Sequence, residues 1–573
     1  MNRDADRMSR QVHGAVASIV GLALLLAACT GPAASPQQQA APRSGSSDGP
    51  RTLQIAFRED PTAIHGGSSG TPEREVGELL NAGLTSWAAT GELVPKLAVK
   101  VPSVADGDWK VAPDGSMEVT WKLKPGLKWH DGAAFTSEDL AFAYRVFKDP
   151  AWPAAIPSAV GFIGEALAPD PQTLILRYPR LNNGAAVVGT VELPPIPRHL
   201  LDDQFKQSGV AGISNHQVWT LDWVGLGPYK ITSRALGSQI DAAAFDEYVL
   251  GRPKIDRLII KATNDASALV ARVLSGDVDM VPNNMEASQA AVLRQQWESA
   301  GRGTVVSVPT RLRQMQLQYR DPTQPWASDV RVRQAMLHLL DRQGLVDSVV
   351  SGMSTVGHTA LLPNDPAYAL LERRGLPMFP YDRAQAERLL DAAGWPRGAD
   401  GIRRNAAGVV FRFNPGNVGE SDQDETLVLV DGLRGGGISA EPDIIPETAT
   451  DQNERRARAN AIARPAISDA TYWERFLTSQ ISAESNRWRS ANTGGYSNPE
   501  FDRLVGEWTA TLDPSSLVER TVDLHKLLLD DLAALPIYYQ VEIFAFRKGL
   551  QGPGAFSSRG RNATVDIHTW TIE

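Results

Sequence analysis

The chain has 573 residues, a length that suits two or three domains, and 42% of them are hydrophobic and 21% charged. These fractions are ordinary for a soluble globular protein and exclude a disordered or fibrous one. The formal net charge of −9 at pH 7 argues against a nucleic acid as the partner.

The first 28 residues have the pattern of an export signal. Three arginines precede an apolar run over residues 15–28, which is too short for a comfortable bilayer span and typical of a secretory h-region. The single cysteine, Cys29, follows Leu26-Ala27-Ala28 directly. One cysteine allows neither an intrachain disulfide nor a CxxC metal site.

Residues 29–50 consist mainly of Pro, Ala, Gln, Ser and Gly. Such a composition cannot bury enough apolar surface to order itself, so we expect a disordered tether. Removal of residues 1–28 would leave 54 basic and 64 acidic residues, a net charge of −10.

The first predicted strand follows this tether. Leu53, Ile55 and Phe57 recur at every second position, and the strand ends at Pro61, which cannot continue a hydrogen-bonded ladder. Glu59 and Asp60 lie at this strand end. A helix is predicted over residues 73–82.

The stretch from 113 to 147 predicts a hairpin followed by a helix. Residues 119–123 alternate apolar and polar side chains, Lys124-Pro125-Gly126 supplies a turn, and residues 127–130 are the expected returning strand. Thr136 and Asp139 have the spacing of a helix N-cap, so an amphipathic helix should pack on the hairpin.

Further elements follow along the chain. Strands are predicted at 173–178, 258–260, 315–319 and 535–539, and helices after Asp265, over 323–352 and over 381–393. Gly276 and Gly394 stand where a helix would end in a left-handed cap. The alternation of strands and helices indicates an α/β protein.

Several segments together resemble a known family. They are GLTSWAATGELVPKLA (83–98), LKPGLKWHDG (123–132), GLGPY (225–229), RVRQAMLHLLDRQGLV (331–346) and GGYSNPEFDRL (494–504). With matches from about residue 53 to 539, the chain is similar to the extracytoplasmic solute-binding proteins of peptide-type ABC importers, family 5. Cys29 stands where the bacterial lipobox places its lipidated cysteine, with an incidental or buried thiol as the alternative.

The resemblance implies a two-lobed periplasmic-binding-protein fold of type II, with mixed sheets flanked by helices and an extra α+β domain. We expect residues 51–83, 220–303 and 535–573 to form lobe I. Residues 84–219 would form the extra domain, and residues 304–534 lobe II.

Peptide-binding members of this family carry an aspartate that pairs with the amino terminus of the peptide. Asp469 is the best positional match, with Tyr472 and Trp473 as pocket walls. Alternatively, Asp469 caps a helix whose aromatic residues pack a core, and both roles could hold at once. Further expected ligand contacts are Glu59, Asp60 and Gln318. Arg455, Arg456, Arg458 and Arg464 are expected on a solvated helix face, not as ligand contacts.

The expected function is capture without chemistry. A peptide or other small solute would bind between the lobes and pass to an ABC permease driven by ATPase subunits, while a lipid on Cys29 holds a monomeric protein at the membrane. Leu226 replaces the small polar residue common in the family, and the resemblance weakens around Asp469. These departures leave open a non-peptide solute, such as a sugar or a metal chelate, or a signal that is reported to a sensor. A role in envelope assembly without transport is a separate alternative.

Enzyme and cofactor motifs are largely missing. GxxxxGK[ST] and HExxH do not occur, and the nine histidines are scattered singly. Residues 66–70 match GxSxG, but no strand leads directly into them as a nucleophile elbow requires. We therefore expect no catalytic residue, cofactor or metal, although His358 as a haem or nickel ligand stays open.

Overall fold

The computed structural model describes residues 49–60, 64, 71–154, 156–283, 285–419, 423–554 and 562–573. Pro50–Glu573 forms one compact unit. Cys29, the export signal, the tether up to residue 48 and the GxSxG segment lie outside the described residues. Among the described helices, none is long and apolar enough to cross a membrane.

Strands and helices alternate along most of this unit. The strands are β1 Thr52–Phe57, β2 Thr85–Trp87, β3 Leu93–Pro95, β4 Trp109–Val111, β5 Met117–Lys122, β6 Glu165–Asp170, β7 Thr173–Tyr178, β8 Tyr229–Ala235, β9 Gln239–Ala244, β10 Arg257–Ala262, β11 Met280–Val281, β12 Gly303–Leu317, β13 Pro415–Val418, β14 Asp443–Ile445, β15 Ala461–Ala466, β16 Ala534–Arg547, β17 Leu550–Gln551 and β18 Thr571–Ile572. The helices are α1 Thr71–Leu80, α2 Ser137–Lys148, α3 Arg198–Ile213, α4 Ala266–Ser275, α5 Ala287–Leu293, α6 Pro325–Ser328, α7 Val330–Leu339, α8 Arg342–Val349, α9 Pro366–Arg373, α10 Arg383–Ala392, α11 Gln423–Gly435, α12 Gln452–Arg458, α13 Ala470–Glu474, α14 Pro499–Ala510 and α15 Pro514–Asp530.

A mixed sheet of ten strands runs through the molecule in the order β14-β13-β15-β12-β16-β11-β1-β10-β9-β8. Its centre is the antiparallel pair of β12 and β16, which stay in register from Gly303 opposite Arg547 to Gln316 opposite Ala534, apart from two shifts. The shifts fall between Pro309 and Arg311 and between Arg313 and Gln314. Irregularities of this kind bend a strand and increase its twist.

The hydrophobic residues divide into separate cores on the two halves of this sheet. One core joins β1 and β10 to a second, antiparallel sheet in the order β4-β5-β7-β6, over which α2 packs. Another lies between the β12–β16 pair and helices α7, α10 and α11. The architecture is the α/β fold with mixed sheets flanked by helices that the sequence predicts.

The predicted hairpin at 119–130 is wrong in its second strand. Trp109–Val111 pairs with one edge of β5 and β7 takes the other edge, so no edge is left for residues 127–130. The turn that closes the hairpin is the earlier one at Gly115, whose φ of 83° suits glycine. In α2, however, the Thr136 N–H donates to the Asp139 carboxylate at 2.8 Å, which confirms the predicted capping box.

The helical stretch at 323–352 is divided into α6, α7 and α8, with Asp329 and Asp341 as N-caps of the last two. Two arginines of this stretch are buried. Arg333 donates to the Asp531 carbonyl at 2.8 Å, and Arg342 donates to the carbonyls of Gly357 and Pro536 at 2.9 and 3.1 Å. These arginines bind protein backbone and hold neighbouring segments together.

His130 connects two of the family-like segments, 123–132 and 225–229, through hydrogen bonds. Its backbone N–H donates to the Gly225 carbonyl at 3.0 Å, its Nδ1 accepts from the Gly225 N–H at 3.2 Å, and its Nε2 donates to the Gly227 carbonyl at 3.0 Å. This pattern requires a neutral ring. Burial lowers the pKa of His130 to about 4.

Gly225 leaves no room for a side chain. A Cβ at this position would lie 1.9 Å from the Leu80 carbonyl oxygen. We expect Gly225→Ala to lower the free energy of unfolding by about 3 kcal/mol or more, because backbone would have to move. Gly506, inside α14 with open space around it, is the control, and Gly506→Ala should raise stability by about 0.5–1 kcal/mol. Chemical denaturation of both variants checks this, and equal stabilities would contradict it.

The His130 interaction should also depend on pH. The unfolded imidazole binds a proton below its ordinary pKa of about 6.5, whereas the folded one stays neutral to about 4. The contribution of His130 to stability should therefore decline by up to about 3 kcal/mol as the pH falls across this range. Urea unfolding at pH 7.5 and 4.5 should show the gap between the native protein and His130→Gln narrowing at the lower pH, and a constant gap would contradict the assignment.

Candidate functional site

A cavity of about 410 Å³ lies between two parts of the molecule that are far apart along the chain. One side comes from residues between 87 and 192, and the other from three segments near residues 360–365, 467–473 and 508–521. The Asn183 side-chain amide donates to the Trp508 carbonyl at 2.9 Å and thereby joins the two sides. The volume is in the range of small-molecule binding sites.

Aromatic side chains form much of its wall. They are Trp87, Phe162, Tyr178, Trp473 and Trp508. Phe162 keeps 47% of its surface exposed although it is large and apolar. Such rings offer flat apolar faces for the aliphatic or peptide parts of a ligand, and their faces also attract cations.

Charge in the cavity has one sign. Three carboxylates, those of Glu192, Asp365 and Asp469, are in its lining, and no lysine or arginine of the described chain is. The cavity therefore favours solutes with positively charged groups.

Asp469 caps a helix and also lies in the wall of the cavity. Its Oδ1 accepts from the Tyr472 N–H at 3.0 Å and from the Thr471 hydroxyl at 2.6 Å, which confirms the N-cap of α13. The same residue lines the cavity. Because the cap uses Oδ1, Oδ2 is the oxygen that a solute amine could reach.

The two aromatic neighbours of Asp469 differ in position. Trp473, only 1% exposed, lines the cavity and packs against Trp508. Tyr472 lies behind it, where its hydroxyl donates to Gln314 Oε1 at 3.2 Å and its ring stacks on His525. Tyr472 belongs to a separate cavity of about 10 Å³ that also includes His358, and burial lowers the pKa of His358 to about 4.

Glu59, Asp60 and Gln318 do not line the large cavity. Asp60 accepts from the Gly237 N–H at 2.7 Å, next to Arg234, and Gln318 accepts from the Arg320 side chain at 2.8 Å while it donates to the Ala457 carbonyl. Glu59 is exposed at the end of β1. A ligand contact by these three residues stays a prediction.

A solvated helix face fits Arg455 and Arg458, but the Nε of Arg456 on the same helix is buried, and the expectation of a helix is wrong for Arg464. Arg455, Arg456 and Arg458 belong to α12, but Arg464 lies on β15, opposite Gln314 of β12, and donates to Gln316 Oε1 at 3.1 Å. Burial, together with the charges of Arg475 and Arg456, lowers the pKa of Arg464 to about 9. The short apolar run 461–463 favours a strand and was the signal for this placement.

One side of the cavity carried no predicted ligand contact. Trp87, Phe162, Asn183 and Glu192 all belong to the segment 84–219, the expected extra domain. These residues lie mostly in loops and far apart along the chain, so no periodic pattern connects them. The one sequence signal for this side is Phe162, a large apolar residue in the short loop-like stretch between Gly161 and Gly164.

The described residues were compared with the arrangement that a metal site needs. Within the described ranges, no group of three or more His, Cys, Asp or Glu residues is arranged to hold a metal ion. His358 shares its small cavity with His525, whose Nε2 and Nδ1 are bonded to the hydroxyls of Ser468 at 2.8 Å and Thr359 at 3.1 Å.

Comparison with known proteins gives consistent matches. Residues 100–487 match the sequence model of the bacterial extracellular solute-binding proteins, family 5. Protein XP55 of Streptomyces lividans is 26% identical over 453 residues, which cover 77% of this chain and 75% of the relative. The oligopeptide-binding protein AppA of Bacillus subtilis is 24% identical over 565 residues, with 96% and 97% covered.

Solved structures agree in fold. The structure of AppA from B. subtilis with a nonapeptide has a TM-score of 0.64 at 20% identity and covers 92% of this chain and 100% of its own. That of NikZ from Campylobacter jejuni with Ni(L-His) has a TM-score of 0.65 at 19% identity, with 91% and 99% covered. At these identities the likeness establishes the fold.

The position of Tyr472 predicts a structural effect on substitution. Tyr472→Phe removes the hydroxyl that donates to the buried Gln314, so we expect the free energy of unfolding to fall by about 1–2 kcal/mol. Tyr381→Phe, at a side chain that is 56% exposed, should change it little. Thermal or urea unfolding of both variants provides the measurement, and an unchanged stability for Tyr472→Phe would show that the hydroxyl bond is absent.

Proposed function

The chain belongs to the bacterial extracellular solute-binding proteins of family 5, and from this premise we propose that it captures an oligo- or dipeptide and delivers it to the permease of an ABC importer. The observation that carries the proposal is the position of Asp469 on a cavity of about 410 Å³ with aromatic walls. Relatives named for oligopeptide and di- or tripeptide binding support the class of cargo.

Capture in this proposal needs no chemical step. The solute amine pairs with Asp469 Oδ2, while the indole rings of Trp473 and Trp508 shield the pair from water and strengthen it. Residues from both sides of the cavity close over the solute, and the Asn183–Trp508 hydrogen bond stabilises the closed form. The closed form is the one that the permease receives, and partner subunits hydrolyse ATP.

We further propose that the protein works as a monomer that is anchored through a lipid on Cys29. The tether of residues 29–50 would then hold the binding unit near the permease, on the outer face of the cytoplasmic membrane or in a periplasm. The lobe boundaries near residues 303 and 535 belong to the same proposal.

Native mass spectrometry tests the cargo. The protein produced without residues 1–29 is weighed before and after unfolding, and the released compounds are sequenced. Bound peptides support the proposal. A bound sugar, metal chelate or other compound would favour a non-peptide importer or a sensor, and a protein that neither carries nor binds any solute would favour an envelope-assembly role.

The amine anchor predicts the effect of one substitution. Asp469→Asn keeps a side chain that can cap α13 but removes the charge, so we expect peptide affinity to fall about 10- to 100-fold with little loss of stability. Isothermal titration calorimetry gives the measurement, with a peptide identified by the mass spectrometry and with the N-acetylated form of the same peptide. The acetylated form should bind the native protein weakly.

The matched control is Asp513→Asn. Asp513 caps α15 in the same way as Asp469 caps α13, and it does not line the cavity. This variant should bind the peptide as the native protein does. If Asp469→Asn also binds with native affinity, Asp469 is not the anchor.

A further inference from the structure

A second, smaller cavity adjoins the proposed peptide site. Its volume is about 200 Å³, and it shares Trp87, Val187 and Glu192 with the large cavity. Glu192 therefore lies at the junction of the two spaces, on a turn from Gly189 to Leu193.

The Glu192 carboxylate is held by backbone and by no cation. Its Oε2 accepts from the Gly189 N–H at 3.0 Å, and no lysine or arginine in the described part of the chain forms an ion pair with it. Gly189 is required for this approach, because a Cβ there would lie 2.8 Å from the same oxygen.

The neighbouring charges are already engaged with other partners. Lys96 forms an ion pair of 2.5 Å with Glu78, whose other oxygen accepts from the Thr190 hydroxyl at 2.6 Å. Arg74 donates to Asn562 at 2.9 Å and lies 3.5 Å from Glu542. The Glu78 charge adds repulsion, and burial with this repulsion raises the pKa of Glu192 to about 7.

A partly buried carboxylate that has no ion pair within the described chain is costly, and a cation that reaches it from the cavity would recover part of that cost. Trp87, which lines both spaces, adds an aromatic face of the kind that attracts cations.

We propose that Glu192 is a specificity-determining residue that binds a cationic group of the solute, an ammonium or a guanidinium, in addition to the amine at Asp469. The preferred cargo is thus a peptide with a basic side chain, and the inference rests on the proposed function for its peptide class. The same chemistry could come from a polyamine, so the test includes one.

The test compares tripeptides that differ by a single charge. Calorimetry on the full-length protein in detergent uses alanine tripeptides with lysine at the second or third position, and the same peptides with uncharged norleucine in its place. We expect lysine to improve affinity at least tenfold at one of these positions. In Glu192→Gln this preference should fall below threefold, while the norleucine peptides bind as before.

Two controls keep the result specific. Glu165→Gln alters an exposed glutamate of β6 that lies outside both cavities and should leave the preference unchanged. Titrations of the native protein at pH 7 in two buffers of different ionisation enthalpy should show proton release with the lysine peptide only, because the cation converts Glu192 to its charged form. This readout needs no variant.

The outcomes separate the two proposals. Equal binding of lysine and norleucine peptides, or a preference that persists in Glu192→Gln, overturns the role of Glu192 and leaves peptide capture intact. If no peptide binds but spermidine does, and Glu192→Gln abolishes that binding, the cation site stands and the peptide class falls. If spermidine does not bind either, the cation site is overturned as well.

Discussion

The antiparallel pairing of β12 with β16 makes one sheet out of two halves. Because the ladder continues from Gly303 to Gln316, each half is fixed to the other through backbone hydrogen bonds rather than through a flexible linker. The two register shifts interrupt the ladder near its middle, where Pro309 also lacks an N–H to donate. The ladder between the halves is therefore weakest in a short, irregular part of two otherwise regular strands.

A buried ion pair lies beside the irregular part. Next to the second shift, Arg313 binds both oxygens of Glu425 at 2.9 and 3.0 Å, and the Tyr538 hydroxyl donates to the same carboxylate at 2.8 Å. A buried pair of this kind adds little net stability, but loss of one member would leave an unpaired charge in the core. It fixes the relation of β12, β16 and α11 where the backbone ladder is weakest.

The sequence predicts the fold much better than the site, for a physical reason. The recognisable segments contain residues with structural roles. Asp139 caps α2, His130 accepts a hydrogen bond from the Gly225 N–H, and Arg342 donates to backbone carbonyls. Local periodicity and fixed spacing reveal such residues. The cavity instead collects loop residues such as Phe162 and Glu192 from distant parts of the chain. Of the ligand contacts that the sequence predicts, Asp469 and Trp473 line it, while Trp87 lies in a family-like segment for which no ligand contact was predicted. The wrongly predicted hairpin strand has the same cause. The edge of β5 is occupied by β7, which lies more than forty residues away along the chain, and local patterns do not reveal such a pairing.

The place of β16 has a consequence for how the protein matures. This strand is synthesised long after β11 and β12, yet it lies between them in the interior of the ten-stranded sheet. While translation is under way, β11 and β12 lack their common neighbour, and the sheet cannot be completed until residue 547 has been made. Contacts between such distant parts of a chain also form slowly. The ten-stranded sheet therefore stays incomplete until late in synthesis.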